Sequence, residues 1–302
     1  MESRTSAEWA FGVVRSMRPQ QWPKNAFVLA PLVFSLRLGE LPALALTLLG
    51  AGLFCLLSGA VYLLNDSFDV DEDRAHPTKR FRPIAAGLLP VPAALRLATG
   101  IALTSLLCAL VVDAAFALTA LAYFALNVAY TRKLKHVPVL DVLVIASGFL
   151  LRVLAGAALA EVDVSTYLLV CTFLLALYLG LGKRRHEVLA LGGSASTRST
   201  LQAYAGDRLA WAMVGVGTAT LLAYGAYTLE ESTRQMFNTP YLPLTLPPIA
   251  LGLTRFYALS RARERAESPT DAMVRDRWML TIVGAWAVLV LYLLYGAGSP
   301  GG

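Results

Sequence analysis

Runs of about twenty apolar residues recur along nearly the whole chain, each long enough to cross the hydrocarbon core of a bilayer as a helix. A helix satisfies its own backbone hydrogen bonds, so each run can sit in lipid without partners. Of the 302 residues, 57% are hydrophobic and 15% charged, with a mean hydropathy of +0.59. A soluble domain of this size could not hide that much apolar surface. The expected fold is all-α and integral to a membrane, a single polytopic domain over residues 1–302. About nine transmembrane helices are predicted, near 24–38, 41–64, 91–111, 114–131, 138–159, 164–182, 208–229, 241–259 and 277–296. Residues 1–23 read as an interfacial segment, not as a cleaved signal, because Glu2 and Glu8 interrupt it and Pro19 ends it. Cys55, Cys108 and Cys171 stand singly inside apolar runs, which predicts packing residues and neither a zinc site nor a disulfide framework.

Charge sets the expected orientation. Arg37 and Arg234 fall on one side of the spans and Arg152 lies within one; the other Lys and Arg residues fall on or face the side that holds the N-terminus. The excess of positive charge makes that side cytoplasmic. The net charge of +6 therefore describes a belt facing anionic lipid and anionic substrates, and it calls for no nucleic acid. Four connections lie on this side, at 65–90, 131–138, 183–207 and 260–276.

The first connection carries the densest chemistry. Asn65, Asp66, Asp69 and Asp73 follow the pattern N-D-x-x-D-x-x-x-D, and steps of three and four place them on one face of a helix. Three carboxylates there repel one another unless a cation lies between them. Lys79, Arg80 and Arg82 follow, a basic cluster suited to phosphate. Acidic oxygens beside phosphate binders at a membrane boundary point to a Mg²⁺–diphosphate site, with Asn65, Asp66, Asp69 and Asp73 as ligands. A solvated acidic loop is the plainer alternative. Tyr62, three residues before Asn65, points into the same space, as an interfacial tyrosine or as a ligand contact.

The second connection gathers Lys135 and His136 just before a span that carries Asp141. Arg152 lies three helical turns beyond Asp141 on the same face, ~16 Å along the axis, too far for a direct pair. An arginine at membrane depth needs an anionic or polar partner, either a ligand phosphate or a neighbouring helix. Lys183 and Arg184 open the third connection, which continues into a Gly/Ser/Thr-rich stretch from Gly192 to Thr200 that reads as a mobile loop. The fourth, Arg261 to Arg277, reads as a solvated charged surface. Lys24, at the start of the first span, is within reach of the same side.

N-D-x-x-D-x-x-x-D after the second span, the Arg82-Pro83-Ile84-Ala85-Ala86-Gly87 string beyond it and the nine-helix layout resemble the UbiA superfamily of intramembrane prenyltransferases. The resemblance covers essentially the whole chain. It implies a bundle around a cavity opening to the cytoplasm and to lipid, with Mg²⁺ held against a diphosphate by the acidic face. In most members a second acidic motif, D-x-x-x-D, follows the sixth span; here that place reads Gly-Lys-Arg-Arg-His-Glu, residues 182–187. Basic residues there suit a second, metal-free anion.

The strings Arg18–Asn25, Tyr62–Asp66, His76–Gly87, Leu134–His136, Gly182–Arg184 and Arg275–Arg277 are similar to a phosphoribosyltransferase branch of that superfamily. This implies transfer of 5-phosphoribose from phosphoribosyl diphosphate (PRPP) to a polyprenyl phosphate such as decaprenyl phosphate, for cell-wall arabinan. On that resemblance Asp66, Asp69 and Asp73 are catalytic, and Lys79, Arg80 and Arg82 receive the diphosphate. Lys24, Tyr62 and Arg152 would take the 5-phosphate or ribose, and Lys135, His136, Lys183 and Arg184 the lipid phosphate; those two groups are interchangeable on this reading. The bacterial plasma membrane is the expected location, with N-terminus and site cytoplasmic and a homo-oligomer possible. The competing readings are a UbiA-type enzyme with a prenyl diphosphate donor and an aromatic or lipid acceptor, an anion transporter and a membrane scaffold. A transporter leaves the one-sided acidic cluster unexplained, and a scaffold the intramembrane charges.

Overall fold

The computed structural model describes residues 6–190, 207–261, 273 and 275–296. Among these every regular element is helical. Seven helices are long and apolar enough to cross a membrane: α3 (Leu41–Phe68), α5 (Val91–Val112), α6 (Ala114–Arg132), α7 (Leu140–Ala160), α8 (Thr166–Ala190), α9 (Arg208–Leu229) and the helix from Arg277, which is α12 (Arg277–Leu291) with a π-helical end at Tyr292–Gly296. The chain is thus an all-α, multi-pass membrane protein. The shorter helices are α1 (Ser6–Ser16), α2 (Ala30–Phe34), α4 (Val70–Ala75), α10 (Glu231–Phe237) and α11 (Leu246–Arg261).

The other two expected spans are helical but broken, and proline is the reason. Residues 19–34 form a 3-10 segment (Pro19–Leu29) followed by α2, with Pro23 inside the first and Pro31 at the start of the second. Each proline removes an amide donor and clashes with the preceding turn. In the span expected at 241–259, Leu242–Thr245 is a 3-10 turn, and α11 begins only where Pro247 and Pro248 fall in its first turn. Where proline sits at a helix start it does no harm: Pro42 lies in the first turn of α3, and Pro90 caps α5. Asp113 caps α6 through the amide of Phe116, at 2.7 Å.

Two helices run further than the hydropathy predicts. α3 carries on to Phe68, so Asn65 and Asp66 are helical, and α8 carries on to Ala190, so Lys183 to Glu187 are helical too. Polar residues end a hydrophobic run without ending a helix; in α8 the added Lys, Arg and Glu are good helix formers. The loop expected at Gly192–Thr200 and most of the fourth connection lie outside the described residues.

The described residues form two compact units. The first takes the described residues up to 135 and those of 148–164, the second the described residues of 136–147 and from 165 onward, so α7 contributes its first turns to one and the rest to the other. In the first unit Val28, Phe54, Leu57, Phe116, Tyr123 and Leu159 build the main core, and Met17, Leu63, Ile84 and Ala98 a smaller one. Glycine sets how closely these elements approach. A Cβ at Gly50 would strike Leu159 and Phe116, and one at Gly59 would strike Met17, so both glycines serve internal packing. In the second unit Val142, Tyr178, Met213 and Phe256 are buried together.

The broken segment is seated on α7 at Gly156, where a Cβ would run into the carbonyl of Val28. That is backbone on an already interrupted helix and cannot rotate away. Gly156→Ala is expected to destabilise the protein by about 2–3 kcal/mol, seen as a lower melting temperature in detergent. An unchanged melting temperature would mean that residues 19–29 do not seat on α7.

Candidate active site

The N-D-x-x-D-x-x-x-D residues straddle a small break. Asn65 and Asp66 end α3, Asp69 caps it and Asp73 lies on α4, while the amides of Asp69 and Asp73 still bond to the carbonyls four residues back. The near-helical path keeps all four side chains in the first unit on a common side of the chain. Asp66, Asp69 and Asp73 are each less than 10% exposed.

Their mutual repulsion is offset by the protein's own cations. Arg18 reaches Asp66 Oδ1 at 2.5 Å through Nη2, and its guanidinium lies over the Tyr62 ring, 4.8 Å from the centroid. Arg82 Nη1 bridges Asp66 Oδ1 at 3.2 Å and Asp73 Oδ2 at 2.8 Å. Lys135, itself buried, pairs with Asp69. Asn65 donates to the other oxygen of Asp69 at 3.3 Å and accepts from Thr131 Oγ1 at 3.4 Å. Three carboxylates therefore meet three cations. Burial pushes the Asp73 carboxyl above the ordinary carboxylate range, with Arg82 opposing that push. Burial disfavours the charge on Arg18, but Asp66 and Tyr62 outweigh it and the guanidinium holds its proton more firmly than usual.

Local backbone explains how two of these groups arrive. Arg18 has φ 52°, a left-handed conformation uncommon outside glycine, at the turn between α1 and the 3-10 segment. Gly87, at φ 74°, closes the Pro83–Leu89 turn, in which the amides of Leu88 and Leu89 both bond to Pro83 O. This gives the last glycine of the Arg82–Gly87 string a physical reason.

The other predicted residues fall as follows. Lys79 is half-buried and close enough to Asp73 to act on its carboxyl. Arg80 is exposed and lies over Phe81. Lys24 is half-buried on the 3-10 segment. Arg152 has the protein partners that its depth demands: Nε donates to Asn25 Oδ1 at 2.8 Å, Nη1 to Gly148 O at 2.9 Å and Nη2 to Tyr123 Oη at 3.0 Å. All three acceptors are neutral. Replacing Arg152 by methionine leaves them unmatched in the core and is expected to cost about 2 kcal/mol in thermal unfolding. Unfolding like that of the parent would show that these bonds carry no net stability.

His136, Lys183 and Arg184 belong to the second unit. His136 is exposed, in a 3-10 turn, and Lys183 is half-buried. Arg184 is buried, with Nε 2.5 Å from Asp141 Oδ2 and Nη1 on Glu187. Its charge is thus matched twice within its own unit, which gives the carboxylate of Asp141 a definite partner. Sequence reasoning did not assign Arg18, Asn25, Tyr123 or the Asp141–Arg184 pair. Arg18 and Asn25 lie in the Arg18–Asn25 string, but no spacing rule links them to residues 48 and 127 positions away.

The donor set suits a hard cation: four oxygen-bearing side chains, the three carboxylates buried and Asn65 half-buried, among cations of the kind that bind phosphate. Among the described residues no three acidic, His or Cys side chains converge closely enough to cage an ion.

The UbiA prenyltransferase family matches residues 26–275. The decaprenyl-phosphate phosphoribosyltransferase of Mycobacterium tuberculosis is 34% identical over 284 residues, covering 92% of this chain and 93% of that protein. The protein of the same name from Corynebacterium glutamicum is 33% identical over 296 residues, 95% of this chain and 87% of its own. A UbiA homolog from Archaeoglobus fulgidus bound to GPP and Mg²⁺ shares the fold, with a TM-score of 0.69 over 94% of this chain and 98% of that one at 18% identity. With most of its length inside the family's bounds and a third of its residues shared with full-length relatives, the chain belongs to the UbiA prenyltransferase family.

Proposed function

We propose that this enzyme transfers 5-phosphoribose from PRPP to a polyprenyl phosphate, decaprenyl phosphate in the first instance, and releases diphosphate. The observation that carries this reading is the similarity, along nearly the full length of both chains, to proteins named for that reaction. The charge balance of the first unit supports it: cations already seated on carboxylates can turn to a diphosphate when a metal takes those carboxylates over.

Asp66, Asp69 and Asp73, with Asn65, would hold Mg²⁺ brought in on the donor's diphosphate. Bound there, the ion would neutralise charge on the leaving diphosphate. Arg82, Lys79 and Arg18 bind its oxygens, and Tyr62 orients the ribose beside them. The acceptor phosphate oxygen is ionised at neutral pH, so it attacks ribose C1 without a general base while the bond from C1 to diphosphate oxygen breaks. Within the second unit, Lys183 and His136 are the basic side chains offered to an anionic group, and Arg184 is held in place by Asp141 and Glu187. On this reading the site faces the cytoplasm of a bacterial plasma membrane, which the positive belt supports, and the product serves as a precursor for cell-wall arabinan.

The test is a membrane assay with radiolabelled PRPP, polyprenyl phosphate and Mg²⁺. Label should enter the lipid fraction and be lost with EDTA; turnover of a prenyl diphosphate without such transfer would favour the prenyl-donor reading. A single displacement should also convert the α donor into a β-linked product, as read from the anomeric coupling by NMR. Retention would overturn the single displacement.

A further inference from the structure

Helices α3 and α5 leave an open groove of about 610 Å³ in the first unit, lined on α5 from Ala93 to Cys108 and on α3 by Leu53 and Leu56. Trp9 of α1 completes its wall. The volume falls in the range of ~300–1,000 Å³ typical of ligand clefts. Its lining is overwhelmingly apolar, and Arg96 is the only charged residue in it. Fifteen residues separate Ala93 from Cys108, so the groove follows α5 for ~22 Å, the length of a long acyl chain. At Gly100 an added Cβ would meet nothing within 4 Å, so the floor stays open where a larger residue would fill it.

We propose that this groove binds an anionic glycerophospholipid, one acyl chain lying along α5 and the phosphate on Arg96. An ordinary lipid-facing surface is convex and gives an acyl chain no walls. This one is concave and carries a single cation near the start of α5, beside a tryptophan of the kind that anchors at headgroup level. The groove is not the acceptor's reactive position. At ~100° per residue along α3, Leu53 and Leu56 point roughly opposite to Tyr62, Asn65, Asp66 and Asp69. A lipid held there meets the face turned away from the carboxylates, which makes it a bound membrane component and not a substrate. This inference does not depend on the identity of the donor or acceptor.

The experiment uses the full chain in nanodiscs made from an equal mixture of phosphatidylglycerol and phosphatidylcholine, followed by native mass spectrometry of the released protein. The parent should retain phosphatidylglycerol about fivefold over phosphatidylcholine, the worth of one basic residue beside an anionic headgroup. Arg96→Gln should lower the preference by about that factor, and Gly100→Leu should remove the lipid held in the groove, of both kinds. Arg277→Gln, a basic residue outside the groove, should change neither. Equal retention of both lipids by the parent, or a preference unaffected by both groove substitutions, would overturn the proposal. So would displacement of phosphatidylglycerol by polyprenyl phosphate with loss of transfer in Gly100→Leu, which would make the groove the acceptor's. A change of oligomeric mass in Gly100→Leu with lipid retention intact would instead assign the face to a second copy. Because Gly100 borders open space, its variant should melt as the parent does, and Arg96→Gln provides an independent reading.

Discussion

Asp69→Asn is expected to lower phosphoribosyl transfer by on the order of 10³-fold while leaving the protein folded. The side chain keeps its volume and its ability to accept from Asn65, but it loses the negative charge. Two consequences follow from the geometry. The proposed Mg²⁺ loses a carboxylate at the centre of the N-D-x-x-D-x-x-x-D face, and Lys135 loses the partner that balances it. A buried ammonium without its counter-ion is costly, so part of the effect will appear as a shift in melting temperature. The double variant Asp69→Asn, Lys135→Met separates the two contributions. Removing the orphaned cation should restore the melting temperature but not the activity. Recovery of transfer in the double variant would mean that Asp69 serves only to hold Lys135. Raising Mg²⁺ should not rescue Asp69→Asn, because the missing group is charge at a fixed place and not bulk metal.

The features legible in the sequence were those with a short-range physical code. Span length, helix starts at Pro42 and Pro90 and the acidic face at steps of three and four all follow from local geometry, and the helical path through Asn65–Asp73 bears that out. The basic tail beside the carboxylates was legible too. The partners of each charge were not. Repulsion among Asp66, Asp69 and Asp73 predicts a cation, but nothing local says whether it is a metal or a side chain from residue 18, 82 or 135. Arg152 shows the same limit: its depth called for a partner, and whether that partner was a ligand or protein depended on Asn25 and Tyr123, which reach it only through tertiary packing. The helices that overran their hydropathy show a different one. Hydropathy measures where lipid ends, whereas a helix ends where capping and packing stop it.

Arg82→Gln is expected to reduce kcat/KM by about 10²-fold to 10³-fold, because one guanidinium meets two buried carboxylates and, in the proposed mechanism, the departing diphosphate as well. Arg82→Lys should recover little of this. Nη1 alone meets both carboxylates, so the rest of the planar guanidinium can address phosphate oxygens, whereas an ammonium seated on the carboxylates has no second nitrogen to offer. Asp66 keeps Arg18 in both variants, so the larger electrostatic change falls on Asp73. Burial already raises the Asp73 carboxyl and Arg82 is the principal influence holding it down, so removing Arg82 raises it further. Protonation then sets in at a higher pH, and the acidic limb of kcat/KM, which reports groups of the free enzyme, should move upward in Arg82→Gln. It should move less in Arg82→Lys, where the positive charge remains. A profile that falls uniformly at every pH, with no shift of the acidic limb, would mean that Arg82 acts on the substrate alone and leaves the protonation of Asp73 unchanged.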